Sequence, residues 1–400
     1  MMGKVMQWVR NADKRFSRSS DRQRQILVNA RTSMNAAVVA PIYNVLRNDP
    51  RITFFFTASE QPANARGIYG ELNGGLKFIS PRRAMLMRFD SYIVADVLWM
   101  TLPRGAPRIL MFHGVAGKYS NIYDRPDSSM RAWDRLFFIN RRRMRNFIAS
   151  GAISENSSAA RLVGYPKIDC LVDGSLQRDD VLSYIGIDPN KRTVLYAPTW
   201  SQYSSLNSIG EQLVQSLCDA GYAVVVKLHD RSRDSRYIHS GGIDWVNRLE
   251  PVLKKSGGRL AASGDACKYM AAADVMITDH SSAGFEYLLL DRPLIRIEMP
   301  ELIARTNIPN EYVQMMVQAS TTVRTPLEAV NAVDQSMNCP RMLSDERRSV
   351  AEELFYDPGN ATVHAVRELY ELIELDPLPR GHQINGSIYD PRAPLSCNHS

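Results

Sequence analysis

DVMITDHSSAGFEYLLLDRPLI, residues 274–295, opens as an apolar run, passes through Thr-Asp-His-Ser-Ser, and closes with Phe285, Leu288 and Leu289 at i, i+3 and i+4. The first half reads as a buried strand and the second as an amphipathic helix, so the hydroxyls of Ser281 and Ser282 fall on the connection. N–H groups at a helix start lack intrahelical partners and carry partial positive charge. A turn of this kind suits a phosphate or carboxylate. Simple N-capping by either serine would use the same atoms and stabilise the helix by about 1 kcal/mol, so the turn alone does not choose between the two.

Similar runs lie on both sides. ITFFFTAS (52–59), SYIVADVL (91–98) and RILMFHG (108–114) read as strands, as do VLYAPTW (194–200), AVVVKLH (223–229) and PLIRIE (293–298). Helical stretches such as GEQLVQSLCDAG and WVNRLEPVLKK separate them, and alternation of this kind builds parallel sheets. The fold class is therefore α/β, with two parallel sheets whose loops border a cleft. VGYPKIDCLVDGS (163–175), rich in turn formers, marks the join. The resulting division is a basic segment over 1–25, an N-terminal domain over 26–175, a C-terminal domain over 176–375 and a flexible tail over 376–400. The C-terminal domain closes with the helical stretches RRSVAEELF and ATVHAVRELYELI, and the tail is rich in Pro, Gly, Asn and Ser.

The chain has 400 residues, 44% apolar and 23% charged, enough for two hydrophobic cores. It contains no run of about 18 apolar residues, and its start lacks the apolar core of a secretory signal, which predicts a cytoplasmic protein. Cys170, Cys218, Cys267, Cys339 and Cys397 form no C-x-x-C pair, so the spacing offers neither a zinc cage nor a disulfide framework. The net charge of +7 is unevenly placed. From Met1 to Arg24 seven Lys and Arg face only Asp13 and Asp21, and from Arg131 to Arg145 six Arg face only Asp134. Such runs are either solvated faces or surfaces for anionic lipid or a polyanion. No helix-turn-helix, zinc finger or aromatic RNA-binding signature accompanies them, which argues against nucleic acid.

In open parallel sheets ligands bind beyond the carboxyl ends of the strands. His113 and Gly114 sit at such an end, with Gly117 and Lys118 just after. Imidazole takes a proton near neutral pH, which makes His113 the candidate general base, although a histidine merely satisfied at a strand end reads as well from this position alone. Lys227 and His229 alternate to the same side of their strand, where two donors can grip a phosphate. Pro198 and Thr199 follow VLYA, and Thr278, Asp279, His280, Ser281 and Ser282 follow ADVMI. His280 to Gly284 also resembles half of a nucleophile elbow, with Ser282 as nucleophile, but the first glycine is missing and Asp357 and His364 would have to complete the set. G-x-x-x-x-G-K, G-x-G-x-x-G, H-E-x-x-H and D-x-D are all absent. Charge on a leaving phosphate would then fall to His, Ser, Arg and helix starts.

FHG (112–114), YAPTW (196–200), KLH (227–229), TDHSS (278–282), LDRP (290–293) and GNAT (359–362), in this order and spacing, resemble the CDP-glycerol glycerophosphotransferase family of teichoic-acid primases and polymerases. The resemblance covers roughly residues 105–370. It implies a GT-B fold, two Rossmann-like domains facing a cleft with C-terminal helices packing back. It implies transfer of glycerol phosphate from CDP-glycerol, or a related CDP-alditol, to the hydroxyl of a lipid-linked or glycan acceptor, releasing CMP, in synthesis of a cell-surface polymer. His113 would be the base, His229 would contact the pyrophosphate, Ser281 and Ser282 would bind phosphate oxygens, and Pro198 and Thr199 would border the nucleotide. Asn360, Ala361 and Thr362 would lie near the phosphates. Gly114, Lys118, Lys227, Thr278, Asp279 and His280 complete the expected donor site, with no cofactor and no metal. The chain departs from the family pattern at His280, where Tyr is common, at Asp230, where Pro is usual, and at Ser201-Gln202, where a basic residue is expected. The expected location is the inner face of the cell membrane, held by anionic lipid. The rival readings are a GT-B nucleotide-sugar glycosyltransferase, a UDP-sugar 2-epimerase, and a non-catalytic polyanion-binding GT-B protein.

Overall fold

The computed structural model describes residues 22–377, except 73, 103–104, 117–124 and 263, together with the backbone of the short strands Gln383–Ile384 and Ser387–Ile388. The basic stretch before residue 22, Lys118 and most of the tail lie outside the described residues.

Seven strands make the first sheet: β1 (Arg24–Asn29), β2 (Ile52–Thr57), β3 (Lys77–Phe78), β4 (Ser91–Val94), β5 (Arg108–Met111), β6 (Arg135–Phe138) and β7 (Ala160–Leu162). Six make the second: β8 (Thr193–Tyr196), β9 (Ala223–Val226), β10 (Arg259–Leu260), β11 (Val275–Thr278), β12 (Leu294–Ile297) and β13 (Thr321–Val323). Their orders are β3-β2-β1-β4-β5-β6-β7 and β10-β9-β8-β11-β12-β13, and every pairing is parallel. Both are Rossmann-like, with the strand order reversing beside β1 in one and beside β8 in the other. Helices cover both faces, so the central strands are apolar without alternation: Ile26, Leu27 and Val28, like Ala223 through Val226, are fully buried.

Four strands of the first sheet, β1, β3, β6 and β7, escape the sequence pattern, β3 and β7 because they are only two and three residues long. β1 has an apolar core of only three residues and begins at Arg24, just after Arg22, and β6 lies inside the arginine run. That run is not the open basic face expected of it. Arg131 donates to the carbonyls of Gly151 and Ala152, Arg135 pairs with Glu368 and Glu371, and Arg142 with Glu311 and Glu353. Arg141 lies over the Tyr356 ring, Arg143 is buried, and Arg145 reaches Glu353. Six cations so close in sequence are spread over a 3-10 turn, a strand and a helix, where carbonyls meet Arg131 and Arg143, an aromatic ring meets Arg141, and glutamates meet Arg135, Arg142 and Arg145.

The join between the sheets is a buried 3-10 segment, Pro166–Leu171. Gly164 enters it at φ +90°, where a Cβ would lie 2.5 Å from the Tyr356 carbonyl oxygen, so only glycine lets the chain pass there. Lys167 within the segment pairs with Glu286 at 2.6 Å, both side chains almost fully buried. The C-terminal helices return to the first sheet. Ser344–Leu354 packs on Arg141–Ala149, and Ala361–Leu372 packs on Ser33–Leu46 and on the join, while Arg24 donates to the Ile373 carbonyl at 2.9 Å. Helix Ser33–Leu46 begins with a reciprocal capping box between Thr32 and Asn35.

Asp169 fixes the last of these helices. Its carboxylate accepts from Gly359 N (2.9 Å), Ala361 N (3.3 Å), Thr362 N and Thr362 Oγ1 (both 2.7 Å). The donors of the GNAT stretch, expected near phosphates, are thus aimed at a carboxylate of this chain, and Asn360 is tied to Asp357. Burial pushes the Asp169 carboxyl up to about 6, against these four donors. Asp169→Ala would leave several helix-start donors without a partner, a loss of about 3 kcal/mol or more; a urea midpoint within error of the parent chain would contradict this account of the join.

Candidate active site

Parallel strands bring their carboxyl ends to one edge of each sheet, and here the two edges face each other across a cleft of about 1030 Å³, part of it open to solvent. His113, Gly114 and Ala116 line it from the first sheet, Lys167 and Glu286 from the join side, and Pro198, Thr199, Trp200, Lys227, His229, Ser281 and Ser282 from the second. Residues that the sequence places after β5, β8, β9 and β11 therefore meet in one space.

His113 follows β5, and its Nδ1 lies 2.7 Å from the Ala95 carbonyl oxygen. A carbonyl can only accept, so Nδ1 carries the proton and Nε2 is the basic nitrogen of the neutral ring. Burial lowers its pKa below the ordinary 6.5; Asp96 and the Ala95 bond oppose this, and Arg143 and Arg31 add to it. The loop carrying it is clamped by Arg143, whose guanidinium donates to Gly114 O at 2.6 Å and Val115 O at 3.0 Å and lies over the Phe112 ring. Arg143 is itself set by Asn140, which caps its helix. Nothing in the sequence separates Arg143 from its neighbours except its position on that helix.

His229 is held the opposite way. It caps a short helical turn, and its Nδ1 accepts from Arg231 N at 3.1 Å. Its neutral ring therefore carries the proton on Nε2, as a donor. Trp200 packs near it, ring centroids 5.7 Å apart, with the Arg231 guanidinium 4.3 Å from the Trp200 ring centre. Lys227 lies in the same wall; burial lowers its pKa, with Asp230 opposing. Ser281 caps the helix Ser282–Tyr287 through Ala283 N, as expected of a capping serine, and still lines the cleft. Burial raises the Glu286 carboxyl, with Lys167 opposing.

The two sides touch beside the loop that carries His113. Ser282 Oγ donates to Ala116 O at 3.3 Å, and a Cβ on Gly114 would lie 3.2 Å from Ser282 Oγ. Ser33 Oγ donates to Asp230 Oδ2 at 2.6 Å, and Asp265 N to Glu71 Oε2 at 3.0 Å.

Three predicted residues of the 278–282 turn sit beneath the cleft instead of in its wall. Thr278 Oγ1 donates to Ala197 O, and His280 is buried beside Phe285. The Asp279 carboxylate accepts from Thr199 N, Ser205 N, Ser205 Oγ and His280 N, all at 3.0 Å or less. Asp279 thereby fixes the loop after β8 against the loop after β11. Asn360, Ala361 and Thr362 stay with the join and do not line the cleft. The acyl-transfer reading of Ser282 finds no support, because His364 and Asp357 bond each other at 2.7 Å away from the cleft lining. Among the described residues, no group of three metal-ligating side chains lines the cleft.

The chain matches the family model described as CDP-Glycerol:Poly(glycerophosphate) glycerophosphotransferase over residues 17–371. It is 23% identical over 298 residues to a teichoic acid poly(glycerol phosphate) polymerase of Bacillus spizizenii, covering 68% of this chain and 72% of that one. A polymerase of the same description from Staphylococcus epidermidis is 24% identical over 188 residues, which is 44% of this chain but 24% of that much longer protein. A teichoic acid glycerol-phosphate primase of B. spizizenii matches over 49% of its length. Among solved structures, the wall teichoic acid polymerase TagF superposes with TM-score 0.65 over 93% of this chain and 96% of that one, at 15% identity. A UDP-N-acetylglucosamine 2-epimerase superposes with TM-score 0.56, over 90% and 98%, at 13% identity. At these identities the likeness shows a shared GT-B fold.

The lowered pKa makes neutral imidazole the form the fold favours at His113, so its contribution to stability is present above pH 6.5 and is lost as pH falls through the folded value. Its ring resonances, assigned by their absence in His113→Gln, should titrate below pH 6.5, and Asp96→Asn should move the midpoint further down. A midpoint above 6.5 contradicts the burial-dominated account.

Proposed function

The chain belongs to the CDP-glycerol:poly(glycerophosphate) glycerophosphotransferase family, and from that membership we propose that it transfers glycerol phosphate from CDP-glycerol to an acceptor hydroxyl, releasing CMP, in the synthesis of a teichoic-acid-like polymer. The observation that carries the reading is the pair of imidazoles held in opposite tautomers on the cleft walls. His113 Nε2 takes the proton of the acceptor hydroxyl as its oxygen bonds to the β-phosphorus. The bond from that phosphorus to the bridging oxygen breaks, and the electron pair leaves with CMP. Nε2–H of His229, the Lys227 ammonium and the hydroxyls of Ser281 and Ser282 meet the pyrophosphate charge. Pro198, Thr199 and Trp200 border the nucleotide. Tight placement of these groups contributes as much as their chemistry, since a positioned reactant avoids the entropy cost of a free encounter.

The lipid-linked or glycan acceptor calls for work at an anionic membrane surface, and the surface best suited to it is not the arginine run. Lys77, Arg82 and Arg83 are exposed around Met85 and Leu86, the latter 85% exposed. Cations around protruding apolar side chains suit the boundary of an anionic leaflet. No described helix is long and apolar enough to cross a membrane, so attachment would be peripheral.

His113→Ala should cut CMP release from CDP-glycerol by about 10²–10⁴-fold while CDP-glycerol still binds. Near-normal turnover, or faster turnover of UDP-sugars by the parent chain, would overturn the assignment. Leu86→Asp with Arg82→Glu and Arg83→Glu should abolish co-sedimentation with phosphatidylglycerol vesicles and leave turnover of a soluble acceptor unchanged; full retention on the vesicles removes this surface from the account.

A further inference from the structure

We propose that Cys170, Asp265 and Cys267 form a binding site for a thiophilic divalent cation of the zinc class, where the join between the sheets meets the second domain. One ligand atom from each lies within 4.8 Å of the others. The two thiols come from separate elements, the 3-10 segment Pro166–Leu171 and the helix Cys267–Ala272. Both point at one spot, because each Sγ donates to the Lys167 carbonyl oxygen at 3.5 Å.

Asp265 is set in place before any ion arrives. Its Oδ1 accepts from Cys267 N at 3.1 Å, and its own N–H donates to Glu71. Gly264, at φ +89°, makes that approach possible, since a Cβ there would sit 2.3 Å from the Glu71 carboxylate. Support of this kind around a ligand fixes its orientation and strengthens binding. The site also has a path to solvent: Cys170 and Asp265 line a separate cavity of about 760 Å³ together with Glu71 and Ser33.

The donor set selects the ion. Two sulfurs and one carboxylate suit zinc, cobalt or cadmium and not magnesium or calcium. Three protein ligands leave a tetrahedral ion one position, which faces the cavity and takes water. Binding releases the two thiol protons as both Sγ–metal bonds form. Two thiolates and a carboxylate around a divalent ion carry one net negative charge, and the ion cancels two of the three charges its ligands bring. Since the Lys167 carbonyl sits between the thiols and its ammonium holds Glu286 in the cleft wall, the ion would brace that wall. The inference does not depend on the reaction proposed above, and its test reads binding.

Reduced full-length protein is titrated with Co²⁺ without oxygen. The expected result is one Co²⁺ per chain, a thiolate-to-cobalt charge-transfer band that Zn²⁺ bleaches, and a raised Tm. Cys170→Ser and Asp265→Asn, both at half-buried positions, should keep the parent circular dichroism and weaken Co²⁺ binding by about 100-fold or more; Cys339→Ser, at an exposed position, should leave it unchanged. Absence of the band, its retention in Cys170→Ser, or formation of a Cys170–Cys267 disulfide by a protein that takes up no Co²⁺ when reduced would each overturn the proposal.

Discussion

In a sheet whose strands all run one way, every strand leaves at the same edge, and that edge is where polar loops can stand clear of the covering helices. Both sheets here obey the constraint, and their two edges face each other. The remaining problem is to keep loops of different strands in register. Asp279 solves it in the second sheet by gathering the N–H groups of Thr199, Ser205 and His280. Arg143 solves it in the first by gathering the carbonyls of Gly114 and Val115. One anion collects donors and one cation collects acceptors, each buried, so each would leave an uncompensated charge if its loop moved away.

The same logic separates the two histidines. They have the same chemistry in isolation, but a carbonyl oxygen faces Nδ1 of His113 and an amide N–H faces Nδ1 of His229. The backbone therefore decides which ring accepts a proton and which donates one. A reaction that removes a proton on one side and gathers negative charge on the other needs that division of labour.

Much of this was legible in the sequence, because long apolar runs ending in His, Ser, Thr or Pro locate β5, β8, β9 and β11 and the residues beyond them. The residues that failed are informative. β1 and β6 are obscured by their arginines, which find partners far away in sequence: Arg22 meets Asp90, Arg24 the carbonyl of Ile373, and Arg135 the carboxylate of Glu368. Thr278, Asp279 and His280 share a motif with Ser281 and Ser282, yet a strand end turns under before it turns out, and motif membership does not say which side chain faces the cleft. The donors of Ala361 and Thr362 resemble an anion site because they are one, and Asp169 fills it. Nor could spacing reveal Cys170 beside Cys267, since only the buried crossing of the join brings them together.

The polar ties between the domains near the cleft include Ser282 to Ala116, Ser33 to Asp230 and Asp265 to Glu71. Each is a single hydrogen bond of a kind that a water molecule can replace at little net cost. Unlike the ion pair beneath them, they act as a gasket instead of a weld: each can be exchanged for solvent without stranding a buried charge, whereas the Lys167–Glu286 pair cannot.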